Sequence, residues 1–205
     1  DGALFAWGWN NSGEVGGNIT SLTTSSPTQI GTSSWTQVSV AKAIRTDGAL
    51  FAWGPGTSGK LGDNTTVTKS SPVQIGTSSW SSISAGGYNS AAIRIDGGLF
   101  VWGYGLSGAS GIGLTTNRSS PVQIGTSSWS QVESGLSNAV ATLPTGALFV
   151  WGYNGYGQLG QGDTINRSSP VQVGTSSWSV VSAGGTHAAA IRSDGALFTW
   201  GNNTY

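Results

Sequence analysis

An all-β fold assembled from repeated four-stranded sheets follows from three features of this 205-residue chain. Two strings return at fixed spacing, the runs between them have strand composition, and no stretch sustains the 3.6-residue apolar period of a helix. The first string, Gly-Ala-Leu-Phe-Ala-Trp-Gly from Gly2, recurs in close variants from Gly48, Gly97, Gly146 and Gly195, at intervals of 46, 49, 49 and 49 residues. The second, Ser-Ser-Pro leading into Gly-Thr-Ser-Ser-Trp, starts at Ser25, Ser70, Ser119 and Ser168. Four short strands in a period of about 49 residues is the arithmetic of one β-propeller blade.

Each strand has its own justification. Leu148 to Trp151 is a short apolar run stopped by Gly152. Pro121 to Ile124 begins with a residue that has no N–H to donate, so it belongs at a sheet edge and is expected to be the outermost strand. Trp178 to Ala183 ends in small residues before Gly184 and Gly185, which suits the crowded centre of a ring. His187 to Arg192 completes the set and is followed by Ser-Asp-Gly, a turn sequence. The glycine-rich strings after each Trp-Gly, such as Asn154 to Asp163, supply positive φ for tight loops, and the lone Val15, Leu61 or Leu159 within them is expected to plug the loop onto its blade.

This reading makes residues 1–205 one repeat domain: a partial blade 1–31, blades 35–76, 80–125 and 129–174, and a partial blade 178–205. The Trp-Gly strand occurs five times and the other three strands four times each. That count does not close a ring. The expectation is an arc of a longer polypeptide, or a ring completed by a second subunit. The first full unit is also four residues short after Val40, where later units carry a turn such as Ala85-Gly86-Gly87-Tyr88-Asn89.

Composition narrows the function classes. Eight basic and eight acidic residues give zero net charge, with no basic cluster, which argues against nucleic-acid binding. With no Cys there are no disulfides, thiol nucleophiles or zinc–thiolate sites. No apolar run is long enough to predict a membrane-inserted helix. His187 is the only histidine, and its counterparts Asn89 and Asn138 point to a hydrogen-bonding turn rather than a catalytic base. Glu133 is the one carboxylate on the inner strands, where the equivalent residues of the other units are Ser39, Ser84 and Ser182. Asp63 and Asp163 lie in loops but lack the spacing of a calcium loop. The reading is therefore of no catalytic residues, no metal and no cofactor.

Nine of the ten Trp occupy two repeat positions. Trp7, Trp53, Trp102, Trp151 and Trp200 are expected to fill the spaces between blades, as are Trp35, Trp80, Trp129 and Trp178, which precede a strand and are nearer a rim. Trp9, Tyr104 and Tyr153 share a loop position after Trp-Gly and are candidate contact tips; Pro55 stands there in the second unit. Lys69, Arg118 and Arg167 share a position before Ser-Ser-Pro and would form a ring of cations on one rim. Arg45–Asp47, Arg94–Asp96 and Arg192–Asp194 recur as a pair, and in the remaining unit both members change together, to Leu143 and Thr145, as a local turn clamp would require. Six Asn-x-Ser/Thr matches, from Asn10 to Asn202, follow from composition.

Gly-x-Leu-Phe-x-Trp-Gly, Asn154 to Gly160, Pro-Val-Gln-Ile, Val181 to His187 and Ala-Ile-Arg-x-Asp-Gly together resemble the repeat of the regulator of chromosome condensation family, along the whole chain. The resemblance implies a seven-bladed propeller, a ring that needs about 340 residues at this period. The family includes a nucleotide-exchange factor for a small GTPase and ubiquitin-ligase domains, so fold alone does not name a function. This chain lacks an acidic cluster, an inserted wedge and a basic tail. Its near-identical repeats with polar loops suggest a non-enzymatic binding or structural module of an extracellular, viral or phage surface, with a protein or glycan partner or self-assembly. The alternative is an intracellular protein-interaction propeller of the exchange-factor or ubiquitin-ligase-associated type.

Overall fold

The computed structural model describes residues 2–19 and 21–204. Strands β1 (Phe5–Trp9) and β2 (Thr23–Gln29) pair with each other. The first full antiparallel meander is β3 (Trp35–Ser39), β4 (Lys42–Arg45), β5 (Ala49–Gly54) and the first half of β6 (Lys69–Ala85). The second half of β6 opens the next, with β7 (Asn89–Arg94), β8 (Gly98–Gly103) and β9 (Arg118–Ser128). The third is β10 (Gln131–Ser134), β11 (Asn138–Thr142), β12 (Ala147–Gly152) and the first half of β13 (Arg167–Ala183), whose second half continues into β14 (His187–Arg192) and β15 (Leu197–Gly201). Helix is limited to two single 3-10 turns among the described residues.

Pro72, Pro121 and Pro170 lie in the fourth strand of each meander, which pairs on one side only, so the missing N–H costs no ladder bond. The first strands converge on one another instead. Ser39 Oγ accepts the Ala85 N–H at 2.9 Å, Ser84 Oγ accepts the Ser134 N–H at 2.9 Å, and Gln131 donates to the Ser179 carbonyl at 2.7 Å. Short polar side chains let these strands approach closely around the concave side. Each join from fourth strand to next first strand is pinned from below: Trp80, Trp129 and Trp178 donate their amides to Gly48, Gly97 and Gly146 at 2.9 Å.

The spaces between blades are filled by one repeated device. The indole of Trp53 donates to the Glu14 carbonyl in the preceding loop at 2.9 Å; Trp102 does the same to Lys60 at 3.1 Å and Trp200 to Gln158 at 2.9 Å. Gly16, Gly62 and Gly160 lie flat on those rings, and Gly111 on the ring of Trp151; a Cβ at Gly62 would sit 2.7 Å from the Trp102 Nε1. The neighbouring Val15, Leu61 and Leu159 are buried, as the loop-plug expectation requires, and Ser110 takes that place in the third loop. A second glycine of the first three loops, Gly13, Gly59 or Gly108, presses against Ser70, Ser119 or Ser168 of the next outer strand. Trp53, Trp102 and Trp151 are buried, and Trp200 is half-buried. Trp7, in β1, is 61% exposed.

Trp80, Trp129 and Trp178 are also buried, and Trp35 is half-buried; each packs edge-on to a Phe of its own blade, with centroids 5.3–5.4 Å apart. The four-residue shortfall after Val40 appears as a hairpin of only two residues, Val40 and Ala41, with Ser39 opposite Lys42. Val40 takes φ 49°, a conformation that costs a β-branched residue free energy.

The glycine–indole contact gives a measurable contrast. Gly62→Ala meets both a positive φ and the Trp102 ring, and is expected to lower stability in urea by about 2–4 kcal/mol. Gly76→Ala, also at positive φ but with nothing near its Cβ, should lose only about 1 kcal/mol.

Candidate interaction surface

The meander separates two faces. At one lie the turns from second to third strand; at the other lie the turns from first to second strand and the long loops after each Trp-Gly. The first face is nearly the same in each unit. Arg45 and Arg192 bind Asp47 and Asp194 at 2.6 Å, and Arg94 pairs with Asp96 in the same way. Each Asp also accepts the amide two residues on, Ala49, Gly98 or Ala196, at 3.1 Å. The guanidinium in turn covers a ring: Arg45 lies 4.9 Å from the Phe51 centroid, Arg94 5.1 Å from Phe100 and Arg192 5.2 Å from Phe198. In the third unit Leu143 and Phe149 both pack against one buried cluster, so an apolar residue stands where the other units have the guanidinium, and the Asp is lost with it.

The arginine hydrogen bonds, then the turn amides, pull the carboxyls of Asp47, Asp96 and Asp194 down to about 2 from an ordinary 3.8. A depressed acid contributes stability above its unfolded pKa and loses it as pH falls through the folded one. The clamps therefore act above about pH 4 and release between there and about pH 2.

The loop face is where the units differ. Its loops are held by their own side chains. Asn154 is buried; its amide donates to the Asp163 and Ile165 carbonyls, and its oxygen accepts the Leu159 N–H. Asn10 plays the same part with Ile19, Ser21 and Val15. Of the predicted contact tips, Trp9 is 66% exposed. Tyr104 and Tyr153 are half-buried, each packed on a second tyrosine that the sequence did not single out: Tyr88 at 5.7 Å and Tyr156 at 6.1 Å. Those partners are the exposed members, each 50% accessible. Tyr88 comes from the first-to-second-strand turn and Tyr104 from the loop beside it, so the pair joins two turns of one blade. Leu106 and Leu136 are exposed on the same face.

The predicted ring of cations is mostly neutralised. Lys69 reaches Asp63 at 3.3 Å, and Arg167 reaches Asp163 at 2.6 Å. The third loop has Leu114 at the register of Asp163, and Arg118 makes no ion pair among the described residues. Asp63 and Asp163 are thereby committed to their own loops, and no cluster of three or more potential metal-binding side chains occurs among the described residues. His187 is exposed, beside Gly184. Burial raises the Glu133 carboxyl above the ordinary range, against a Ser84 hydroxyl that donates to it at 3.0 Å. That serine ties the carboxylate to a neighbouring blade.

Sequence and structure comparisons agree with this architecture. The regulator of chromosome condensation (RCC1) repeat model matches residues 1–43, 47–93 and 145–191, and a second model of the repeat matches 178–205. The chain belongs to the RCC1 repeat family. The unmatched stretch, 94–144, holds the substitutions Ser110, Leu114 and Leu143 noted above. Human WBSCR16 is similar, with a TM-score of 0.82 and 27% identity over 92% of this chain and 53% of its own. Yeast RCC1 (Prp20), solved bound to Kap60, superposes with a TM-score of 0.85 at 18% identity, covering 98% of this chain and 52% of its own. A second Prp20p structure, from Saccharomyces cerevisiae and described with its binding to Gsp1p and histones, gives 0.80 at 19% identity. The chain thus spans about half the length of the solved structures it matches. A search of curated proteins finds no match.

The clamp assignment can be checked by carboxyl NMR. Asp96 should titrate at about 2, and Arg94→Gln should return it toward 3.8 while Asp47 and Asp194 stay in place.

Proposed function

We propose that this RCC1-repeat chain is a non-catalytic protein-binding propeller whose partner docks on the loop face. The observation that supports this is the distribution of difference. The clamp face repeats one Arg–Asp–Phe arrangement, whereas the loop face carries Trp9, the Tyr88–Tyr104 pair, the Tyr153–Tyr156 pair and exposed leucines at positions that change from unit to unit. Exposed aromatics held rigid by neighbours are what protein interfaces use as anchors. The carboxylates Glu133, Asp63 and Asp163 are committed to structural contacts, which favours binding over chemistry.

Of the two settings expected from sequence, the interaction propeller of the exchange-factor or ubiquitin-ligase-associated type has the better support. Prp20, with the same fold, is described with protein partners. Adhesion at a cell or particle surface, and a glycan ligand, gain no support from the relatives.

Site-specific photo-crosslinking tests the reading. A photoreactive phenylalanine at position 104 or 156 should capture the partner. The same residue at 95, exposed on the clamp face, should not. The double variant Tyr88→Ala/Tyr104→Ala should weaken binding about tenfold or more while leaving thermal unfolding unchanged. Capture from position 95 alone would assign the partner to the other face.

A further inference from the structure

On the loop face, where the first strands end, the blades close against one another. Gly86 packs on the Gly135 carbonyl, and Gly135 on that of Gly184, with no space for side chains. The two-residue Val40–Ala41 hairpin is too short to join this series. A cavity of about 750 Å³ lies on this side, its wall running from Trp7 and Glu14 through Lys42, Trp53, Lys60 and Leu61 to these glycine turns.

Lys42 is the anomaly of this cavity. It is only 4% exposed. It pairs across the sheet with Ala52, and the residues in the same register of the other blades are Ala91, Val140 and Ala189. Its ammonium makes no hydrogen bond or ion pair among the described residues. Lys60, on the same wall, reaches only the Gly87 carbonyl, at 3.5 Å. Glu14, the one acid of the wall, turns its carboxylate back to the Ser12 N–H at 2.8 Å. Burial, then repulsion from Lys60, lowers Lys42 to about 7. A buried ammonium with no counter-charge is unstable relative to the amine, and an apolar residue fills this register in the other units. What the register lacks is an anion.

We propose that this notch binds an organic carboxylate with a small apolar body, its oxygens between Lys42 and Lys60 and its apolar part against Trp53 and Leu61. A monoanion matches one buried cation with one mobile neighbour, and the aromatic and aliphatic wall favours a ligand that is more than a bare ion. A free acid and the C-terminal carboxylate of a peptide share this chemistry. The site is separate from the tyrosine pairs and does not depend on the partner proposed above.

Calorimetric titration of the protein with benzoate, benzamide and inorganic phosphate tests the proposal. Benzoate should bind and benzamide should bind at least about tenfold more weakly, because only the carboxylate supplies charge. Binding restores the charge on Lys42, so it should take up protons, most strongly between about pH 7 and the higher pKa of the bound state, and the heat should vary with the ionisation enthalpy of the buffer. The Lys42 side-chain resonance should titrate about one unit or more higher at saturation. Lys42→Ala installs the residue of the second and fourth registers, so it should fold and melt no lower than the parent, yet lose benzoate binding by about tenfold or more. A dipeptide ending in Phe, compared with its amide, separates the sources: tighter binding than benzoate indicates a chain terminus, and weaker binding a free acid. Equal binding by Lys42→Ala, equal binding of benzamide, phosphate binding as tightly as benzoate, or no binding at millimolar concentrations would each overturn the proposal.

Discussion

The contact between a tryptophan and the glycine of the loop before it holds this molecule together. A blade alone has two apolar faces and cannot bury either. The indole of Trp102 enters the gap, donates to the Lys60 carbonyl, and needs Gly62 flat against it. Leu61 must then point inward, and Gly59 must press on the outer strand of the next blade. One bulky ring therefore dictates four positions of a loop some 40 residues away. It also explains the repeat. An interface that recurs between successive blades needs the same ring and the same glycine each time, and variation at either opens a void or a clash.

Much of this was legible before any coordinates. Strand content, the edge position implied by Pro72, Pro121 and Pro170, and the burial of Val15, Leu61 and Leu159 follow from residue chemistry applied to a periodic sequence. Paired loss of Arg and Asp at Leu143 and Thr145 correctly marked a clamp. The sequence could not show that the guanidinium also covers a phenylalanine, because the ring lies across a turn. A repeat assigns the same role to equivalent residues, and the depth of burial at each depends on neighbours that only the three-dimensional arrangement supplies.

The candidate surface was less legible than the scaffold. Tyr104 and Tyr153 were found by position, yet their exposed partners Tyr88 and Tyr156 lie outside any shared register, so no repeat signal marks them. Lys69 and Arg167 looked like free rim cations because Asp63 and Asp163 occupy different steps of their loops. Each nonetheless curls back to its own cation. Lys42 was hidden by the shortened hairpin, which shifts the local alignment and disguises a lysine at an alanine register. In each case the missing information was lateral contact between loops, which a linear period does not encode.

Low charge gives each ionic group more weight. Five of the eight basic side chains form ion pairs within their own turn or loop. Lys42, Lys60 and Arg118 do not among the described residues. Arg118 sits on the outer rim, where water solvates it at little cost. Lys60 sits by the cavity and has a backbone acceptor. Lys42 alone is removed from water without a partner, in a position where the fold accepts alanine elsewhere. Scaffold requirements therefore do not account for it. The stability it forgoes must be offset either by neutralisation of the amine or by an anion brought from outside, and the cavity beside it leaves room for the second.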